Sequence, residues 1–203
     1  MTSSSRHRSN AKAIVISGVP GSGKTSAALL LSTVLGALYV NLSAFSVVSC
    51  LLESYDESRD TYIIYEELLV NLLDNIMSNS KTPVIIDSHY GELMPSHHVA
   101  ITIVLRIHPK ELLQRLLKSR GWWTPKKIAE NVAAELMGSC TNNAVATYGS
   151  EKVCEVNVTG LTTTEVTKRI INVIKGAAPC VTNIDWLEHP IPIEVLEFIA
   201  RYS

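Results

Sequence analysis

Residues 18–25 are the stretch of this sequence with the clearest potential for chemistry. They read GVPGSGKT and match the phosphate-binding pattern G-x-x-x-x-G-K-[ST] at every fixed position. Glycines let backbone N–H groups close on a phosphate without side chains in the way, and the Lys24 ammonium can reach the β- and γ-phosphates of a nucleoside triphosphate. The Thr25 hydroxyl is a potential ligand of Mg²⁺. The pattern therefore predicts a nucleoside triphosphate site, and the alternative is a chance match in an ordinary glycine-rich turn.

The segments on either side of this loop are those that the chemistry requires. Residues 12–17 (KAIVIS) are short, apolar and rich in β-branched side chains, which predicts a buried strand. Residues 26–35 (SAALLLSTVL) are rich in alanine and leucine, which favours a helix. A helix that begins at the loop directs unpaired N–H donors and partial positive charge at a bound phosphate. We therefore expect strand, loop and helix in succession.

A second pair of candidate residues follows another predicted strand, residues 83–87 (PVIID). Asp87 ends that strand, and ligands bind at the carboxyl ends of the strands in open α/β sheets. A carboxylate there can position Mg²⁺ together with Thr25, whereas the alternative role for Asp87 is a strand-end cap. His89, two positions further on, could orient an acceptor or a water as a hydrogen-bonding partner or general base. The alternative for His89 is a hydrogen-bonded surface histidine.

A cluster of arginine and tryptophan side chains adds positive charge later in the chain. Arg120 directly precedes Gly121, Trp122 and Trp123. Because a guanidinium is always charged and binds phosphoryl oxygens in bidentate fashion, we expect Arg120 to clamp the transferring phosphoryl group. Gly121 would allow a hinge, and either tryptophan could cover an adenine ring. For Arg115 the sequence leaves a phosphate clamp and a solvated helix residue equally open.

The remaining segments predict the elements that must hold these residues in place. Further strands are expected at residues 38–42, 100–107 and 152–158, helices at residues 43–52, 64–78, 109–119, 126–137 and 162–175, and a loop at the polar residues 53–61. Strands alternate with helices, and the strands are apolar on both faces, which is typical of a parallel sheet covered on both sides. The sequence therefore predicts a three-layer α/β fold with a five-stranded parallel sheet.

Whole-chain properties bound the class of protein. The 203 residues suit one domain, and a formal net charge of -1 gives no overall attraction to nucleic acid or to an anionic membrane. The longest apolar stretch is too short to span a bilayer, so no membrane partner is expected. Cys50, Cys140, Cys154 and Cys180 are widely spaced and lack metal-binding spacing. We expect buried free thiols in a reducing compartment, and hence a cytoplasmic protein.

The two ends of the chain differ in character from the rest. Residues 1–10 are rich in serine and arginine and predict a disordered tail. Residues 177–203 form a C-terminal extension that contains Trp186 and closes with an amphipathic run at residues 193–202. This extension either packs against its own domain or docks a partner.

Taken together, these motifs resemble the atypical adenylate kinases of the isoenzyme 6 type, an archaeal and eukaryotic family linked to small ribosomal subunit maturation. The matching motifs are GVPGSGKTS (18–26), YVN (39–41), YDESxD (55–60), VIIDSH (84–89), IVLR (103–106), RGW (120–122) and ENVAAELMG (130–138). They occur in the family's order over residues 11 to about 175. The phosphate loop is shared by many kinases, whereas the D-x-H pair, the RGW lid and the ENVAAE run are more specific.

The resemblance implies a phosphate-loop kinase domain at residues 11–176, of the nucleoside monophosphate kinase type, with a short monophosphate-binding insert at about 41–64 and a short lid at about 119–129. It implies the reaction ATP + AMP ⇌ 2 ADP, together with ATP hydrolysis and Mg²⁺ as cofactor. The implied partners are AMP or another acceptor nucleotide, a platform protein of the small ribosomal subunit, and precursor ribosomal RNA. The matching ATP-contacting residues are Gly21, Ser22, Gly23, Lys24, Thr25, Ser26 and Arg120, the catalytic ones Lys24, Asp87, His89 and Arg120, and the metal-binding ones Thr25 and Asp87.

The chain departs from the family in the monophosphate-binding insert. Where relatives carry an arginine, an ungapped alignment places Val47, and residues 43–50 contain no basic residue. This departure favours a second hypothesis, an ATPase that remodels a ribosomal protein–RNA complex with little or no AMP kinase activity. A third hypothesis is a non-catalytic, nucleotide-gated binding module, which the intact Lys24, Thr25 and Asp87 disfavour.

Overall fold

The computed structural model describes residues 12–57 and 61–202. Its strands are β1 (Ala13–Ser17), β2 (Leu38–Asn41), β3 (Leu52–Asp56), β4 (Thr61–Ile64), β5 (Val84–Asp87), β6 (Val99–Arg106) and β7 (Val153–Asn157). Five of them form one parallel sheet in the order β2-β5-β1-β6-β7. The prediction of a three-layer α/β phosphate-loop fold with a five-stranded parallel sheet is thus confirmed. The predictions for residues 1–10 and for positions 58–60 of the YDESxD motif lie outside the described residues.

The helices are α1 (Lys24–Leu35), α2 (Leu42–Val48), α3 (Glu66–Asn79), α4 (Pro109–Ser119), α5 (Pro125–Leu136), α6 (Ser139–Tyr148), α7 (Thr163–Ile174) and α8 (Ile193–Tyr202). Their ends carry recognisable signals. A proline opens α4 and another opens α5, and Thr162 and Glu165 form a capping box at α7. Gly36 ends α1 in the left-handed region with φ 61°. Within the two described ranges, no helix combines the length and the apolar character needed to cross a bilayer.

The hydrophobic core lies on both sides of the sheet. Successive strand residues point to opposite faces, so Ile16 joins a cluster with α1, α4, α5 and α7, and Val15 joins a second cluster with α3 and α6. Both residues are fully buried. The sheet is therefore covered on both faces, as its continuous apolar strands require.

Two local predictions were wrong. A loop was expected at residues 53–61, but within the part of that range that the structure describes, residues 53–56 lie in β3 and Thr61 begins β4. The two strands form an antiparallel hairpin in which Tyr55 faces Tyr62, with ring centroids 5.1 Å apart. Most side chains of this hairpin are polar or exposed, so the hydrophobic alternation that marks a strand is absent from the sequence. Helix α6 was not predicted because it is polar and buries little more than Thr141, Ala144 and Tyr148.

The prediction of buried free thiols was wrong for Cys154 and Cys180, which are bonded to each other, and for Cys50, which is exposed. Cys154 in β7 and Cys180 form a disulfide, while Cys50 and Cys140 are free. The two bonded residues are 26 positions apart, but the segment after α7 returns along the sheet edge, where the Glu155 N–H donates to the Val181 carbonyl at 2.8 Å. This return brings the sulfurs together, and spacing along the sequence could not reveal it. The disulfide also removes the free-thiol argument for a reducing compartment.

A buried ionic network joins the C-terminal extension to the domain. Arg106, at the end of β6, donates from Nε to Glu135 at 2.9 Å and from Nη1 to Glu155, and all three side chains are buried. The Trp186 indole N–H donates to Glu135 at 2.8 Å, and the Ile184 N–H donates to Glu155 at 2.8 Å. Burial lowers the pKa of Arg106, but the two carboxylates outweigh it and raise that pKa above its ordinary value. One guanidinium therefore serves two buried carboxylates, and the extension supplies further hydrogen-bond donors to both of them.

The last helix completes this attachment. Helix α8 packs against α5 and α4, and its Val195 is fully buried in the core cluster on that face. Trp186 is buried as well. Of the two alternatives for the extension, these contacts correspond to packing against its own domain.

Replacing Arg106 by Met should lower the free energy of unfolding by about 3–5 kcal/mol at neutral pH, because Glu135 and Glu155 would remain buried without a cation. The deficit should shrink as the pH falls to 5, because burial raises the pKa of Glu135 and the variant lacks the Arg106 charge that opposes this shift. Urea denaturation measures both effects. Arg169→Met, on the exposed face of α7, is the matched control and should change stability by no more than about 0.5 kcal/mol. A similar loss in the two variants would contradict this account of the network.

Candidate active site

The phosphate loop connects β1 to α1 in a conformation that depends on glycine. Gly18, Gly21 and Gly23 have φ of 135°, 89° and 93°. A Cβ on Gly18 would lie 2.7 Å from the Leu105 carbonyl oxygen, and one on Gly21 would lie 2.9 Å from the Leu112 side chain. The loop is therefore fixed against β6 and α4, with no room for larger residues at these two positions.

Lys24, the first residue of α1, is buried beneath this loop. Its ammonium donates to the Val19 carbonyl oxygen at 3.0 Å. Burial lowers the pKa of Lys24, and the negative charge of Asp87 opposes that shift. A hydrogen bond to the loop therefore holds the Lys24 amine, and the Asp87 carboxylate favours its charged form.

One carboxylate oxygen accepts several hydrogen bonds at the carboxyl ends of β2 and β5. Oδ2 of the buried Asp87 accepts hydrogen bonds from the Thr25 hydroxyl at 2.7 Å, the Asn41 amide at 2.8 Å and the Tyr39 hydroxyl at 2.9 Å. Asn41 and Asp87 are register partners at the carboxyl ends of β2 and β5. Burial, together with the bond to Asp87, raises the pKa of Tyr39 to about 12. Tyr39 therefore stays a neutral donor at physiological pH.

The residues predicted to bind Mg²⁺ fit that ion. The Thr25 hydroxyl and the Asp87 carboxylate are in direct contact, and hydroxyl and carboxylate oxygens are the protein ligands that Mg²⁺ takes beside nucleotide phosphates. Thr25 and Asp87 would hold the ion, which would neutralise phosphate charge there. Asn41 and Tyr39 would keep the carboxylate in place, since both bind the same oxygen.

A cavity of about 390 Å³ opens over the loop. Its walls include most of the residues predicted from the sequence: Gly21, Gly23, Lys24, Thr25, Ser26, Asp87, His89 and Arg120. Ser22 is the exception, because its hydroxyl is buried beneath the loop with no hydrogen-bond partner among the described residues. The structure thus brings the loop, the strand-end carboxylate, the histidine and the lid arginine around one space of ligand size.

Arg120 lies at the rim of this cavity, on the connection between α4 and α5. Its guanidinium carbon is 5.3 Å from the Trp122 ring and 5.6 Å from the Trp123 ring. Trp122 is exposed, whereas Trp123 lines the cavity and packs against the core. The aromatic rings therefore flank an exposed guanidinium at the entrance, where an anionic ligand would meet it.

A second cavity, of about 140 Å³, lies next to the first beneath the hairpin. Its wall is mostly apolar and includes Val47, the position where relatives were expected to carry arginine. Among the described residues, none of those lining it is lysine or arginine. Ser43, Ser88 and His89 line both cavities, so these three residues form the boundary between them.

His89 is the titratable group at that boundary. Burial, followed by the positive charge of Lys24, lowers the pKa of His89 to about 4, with Asp87 opposing the shift. Its ring lies against Tyr90, with centroids 3.8 Å apart. His89 is therefore a neutral imidazole at physiological pH, able to accept or donate a hydrogen bond but weak as a base.

The sequence reasoning missed some of the residues that support this site. Tyr39 and Asn41 were noted only as part of a family motif, because the sequence does not show that their strand lies beside the strand of Asp87. Arg115, left open in the sequence, donates to the Gly21 carbonyl at 3.4 Å and to Glu111 at 2.6 Å. Arg115 therefore stabilises the phosphate loop from α4. Its spacing along the chain does not reveal this contact with Gly21.

Comparison with solved structures agrees on the fold. The chain is similar to thymidylate kinase from Candida albicans (TM-score 0.54, 16% identity, covering 86% of this chain and 96% of that one). It is also similar to shikimate kinase from Bacteroides thetaiotaomicron (TM-score 0.53, 15% identity, covering 81% and 98%). At these identities the likeness concerns the fold alone.

Sequence relatives are closer. A family model described as "AAA domain" matches residues 14–138. A protein of Saccharolobus islandicus named "Putative adenylate kinase" is 36% identical over 174 residues, which cover 86% of this chain and 87% of its own. The protein of the same name from Pyrococcus furiosus is 36% identical and is covered over 90% of its length. At this identity and coverage, the chain belongs to the adenylate kinase-like family that these archaeal proteins represent.

Proposed function

We propose that this protein transfers the γ-phosphoryl group of ATP to a nucleoside monophosphate, with AMP as acceptor, in the reaction ATP + AMP ⇌ 2 ADP. The observation that carries the proposal is the pair of adjoining cavities that share Ser43, Ser88 and His89. One cavity contains the phosphate loop, so a donor there would present its terminal phosphate at the boundary with the other. The names of the archaeal relatives support AMP as the acceptor.

The domain organisation is part of the proposal. Residues 11–176 would form the phosphotransfer domain, with a monophosphate-binding insert at 41–64, a lid at 119–129 and an extension at 177–203. In support, the second cavity lies beneath the hairpin of the insert, and Arg120 on the lid stands at the mouth of the first. The lid would close on bound nucleotide by bending at Gly121, which excludes water from the reacting groups.

Catalysis would be mainly electrostatic. Phosphoryl transfer requires alignment of donor and acceptor and neutralisation of charge on the transferring group. The loop N–H groups and Lys24 would hold the phosphates, and Arg120 would approach from the lid. Ser26, which lines the same cavity, would complete the ATP-contacting loop, whereas the buried Ser22 would support the loop from beneath. Lys24 would exchange its bond to the Val19 carbonyl for bonds to phosphate oxygens.

His89 would position the acceptor. Its ring lies between the two cavities, and its low pKa keeps it uncharged at physiological pH. A neutral imidazole can orient the attacking phosphate oxygen, or a water when no acceptor is bound, without adding charge. Asp87, held by three donors, would keep its place in the nucleotide-free and nucleotide-bound states.

One observation favours the second candidate function, an ATPase that remodels a ribosomal protein–RNA complex. The described residues that line the second cavity include no lysine or arginine to bind the AMP phosphate, and Val47 lies where an arginine was expected. A cavity with an apolar wall and a neutral histidine fits a water nucleophile as well as an anionic acceptor. In this case ATP hydrolysis would be the main activity.

The cellular role belongs to the same proposal. The motifs that follow the family order over residues 11 to about 175 support a role in small ribosomal subunit assembly and ribosomal RNA maturation. The partners would be a platform protein of the small subunit and precursor ribosomal RNA, in the cytoplasm.

Measuring ADP formation from ATP separates the two functions. As an adenylate kinase, the protein should form ADP strictly in the presence of AMP, and less with GMP, CMP or UMP. As a remodelling ATPase, it should form ADP and phosphate equally with and without AMP, and faster when a small-subunit platform protein with precursor RNA is added. Absence of ATP turnover under all these conditions would reject both and favour a nucleotide-gated binding module.

Lys24→Ala should lower ATP turnover by about 10²–10³-fold, because it removes the buried cation of the loop where charge develops in the transition state. Steady-state kinetics at saturating ATP measures the loss. Lys168→Ala, on the exposed face of α7, serves as the matched control and should behave as wild type. Unchanged turnover in a folded Lys24→Ala protein would show that the chemistry does not occur at this loop.

The low pKa of His89 predicts a specific acid sensitivity. The folded state favours the neutral ring, so the associated stability is complete above pH 6.5 and is lost as the pH falls towards 4. Wild type should therefore lose about 1–2 kcal/mol more than His89→Gln between pH 7 and pH 4.5. Urea denaturation at both pH values tests this, with the exposed His189→Gln as control. Equal losses in wild type and His89→Gln would contradict the shifted pKa.

A further inference from the structure

Three side chains of metal-ligating types meet at the amino ends of the strands, whereas the phosphate loop lies at their carboxyl ends. Asp74 lies on α3, and His97 and His98 directly precede β6. The phosphate loop follows the carboxyl end of β1, whereas the His98 carbonyl accepts from the N–H of Ala13, the first residue of β1, at 2.8 Å. Because β1 and β6 are parallel, the cluster lies at their amino ends, apart from the proposed active site.

The distances within this cluster suit a single ion. Nε2 of His97 is 2.9 Å from Oδ1 of Asp74, and Nε2 of His98 is 3.2 Å from the same oxygen. All three potential ligand atoms lie within 4.8 Å of one another. For metal–ligand bonds of about 2.0–2.1 Å, neighbouring ligands in tetrahedral or octahedral sites are roughly 2.9–3.4 Å apart. The side chains therefore need little movement to coordinate a metal.

The surroundings of the two histidines favour a divalent ion over a simple ion pair. The rings lie against each other, with centroids 4.1 Å apart, and both direct Nε2 at one carboxylate oxygen. Only 1% of the His98 side chain is exposed, so water contributes little to the surroundings of its ring. A bound cation would let both imidazoles ligate in their neutral form.

We propose that Asp74, His97 and His98 form a binding site for a divalent transition-metal ion of the zinc class. Two imidazoles and one carboxylate form the N/O ligand set that Zn²⁺ accepts, and they leave a position open for water. The site is open to solvent on one side, since His97 is 63% and Asp74 45% exposed, so an ion can enter. This inference does not depend on the proposed phosphotransfer activity.

The ion would join α3 to the start of β6. Helix α3 also carries Leu69, which lines the second cavity of the proposed active site. A metal at Asp74 would thus fix the far part of this helix against the sheet. Its expected effect is on stability, because none of the three ligands lines either active-site cavity.

The test uses the full chain, purified without a histidine tag and stripped with a chelator. Titration with Zn²⁺ against a colorimetric chelator should show one tight site per chain, and Co²⁺ should give the visible absorption of a histidine-ligated ion. A Zn²⁺ concentration about 100 times the Kd should raise Tm by roughly 5 °C or more. Absence of Zn²⁺ binding, or binding without a rise in Tm, would overturn the proposal.

Two variants locate the site and a third controls for other histidines. Asp74→Asn keeps the side-chain shape, and His97→Gln changes an exposed residue, so both should remain folded. Each should weaken Zn²⁺ binding by roughly tenfold or more and abolish the Co²⁺ absorption, whereas His189→Gln should bind as wild type. Wild-type affinity in both cluster variants would place any bound metal elsewhere and reject the site. Phosphotransfer without added Zn²⁺ should be the same in all four proteins.

Discussion

The organisation of the active site depends on one carboxylate oxygen, Oδ2 of Asp87. Donors from α1, from Tyr39 on β2 and from Asn41 at its end converge on it, so the oxygen joins the phosphate loop to two neighbouring strands. A buried carboxylate with so many donors resists displacement, because each bond would have to be broken without water to replace it. The geometry that receives a nucleotide therefore exists before the nucleotide arrives, which is the condition for electrostatic catalysis.

The cavity on the proposed acceptor side differs from the loop cavity in the chemical character of its walls. The loop cavity is lined by polar and charged groups, whereas the neighbouring cavity has apolar walls and meets it at Ser43, Ser88 and His89. We expect a ligand in this cavity to bind through burial of an apolar surface, such as a base, more than through charge pairing. The contrast explains why the identity of the donor is better supported by the site than the identity of the acceptor.

The sequence predicted features whose physical cause is local. The phosphate loop, its flanking strand and helix, and the strand that ends at Asp87 follow from glycine spacing, apolar runs and capping signals. Contacts between distant segments were out of reach. Cys154 and Cys180 meet because the chain returns along β7, and Tyr39 reaches Asp87 because β2 lies beside β5. The β3–β4 hairpin was missed for a third reason, since its exposed strands lack the alternation that marks half-buried ones.

The buried network around Arg106 has a mechanical consequence for the segment that carries Arg120. Helix α5 begins just after that segment, and near its other end Glu135 is bonded to Arg106 and to Trp186 of the extension. Helix α8 packs against α5 as well. Because these contacts hold α5 from two sides, we expect the part of this helix beyond the proposed lid to stay in place when the lid closes. In the proposed closure, the movement of Arg120 would then be limited to the short segment between α4 and the held part of α5, which gives the C-terminal extension an indirect effect on the lid.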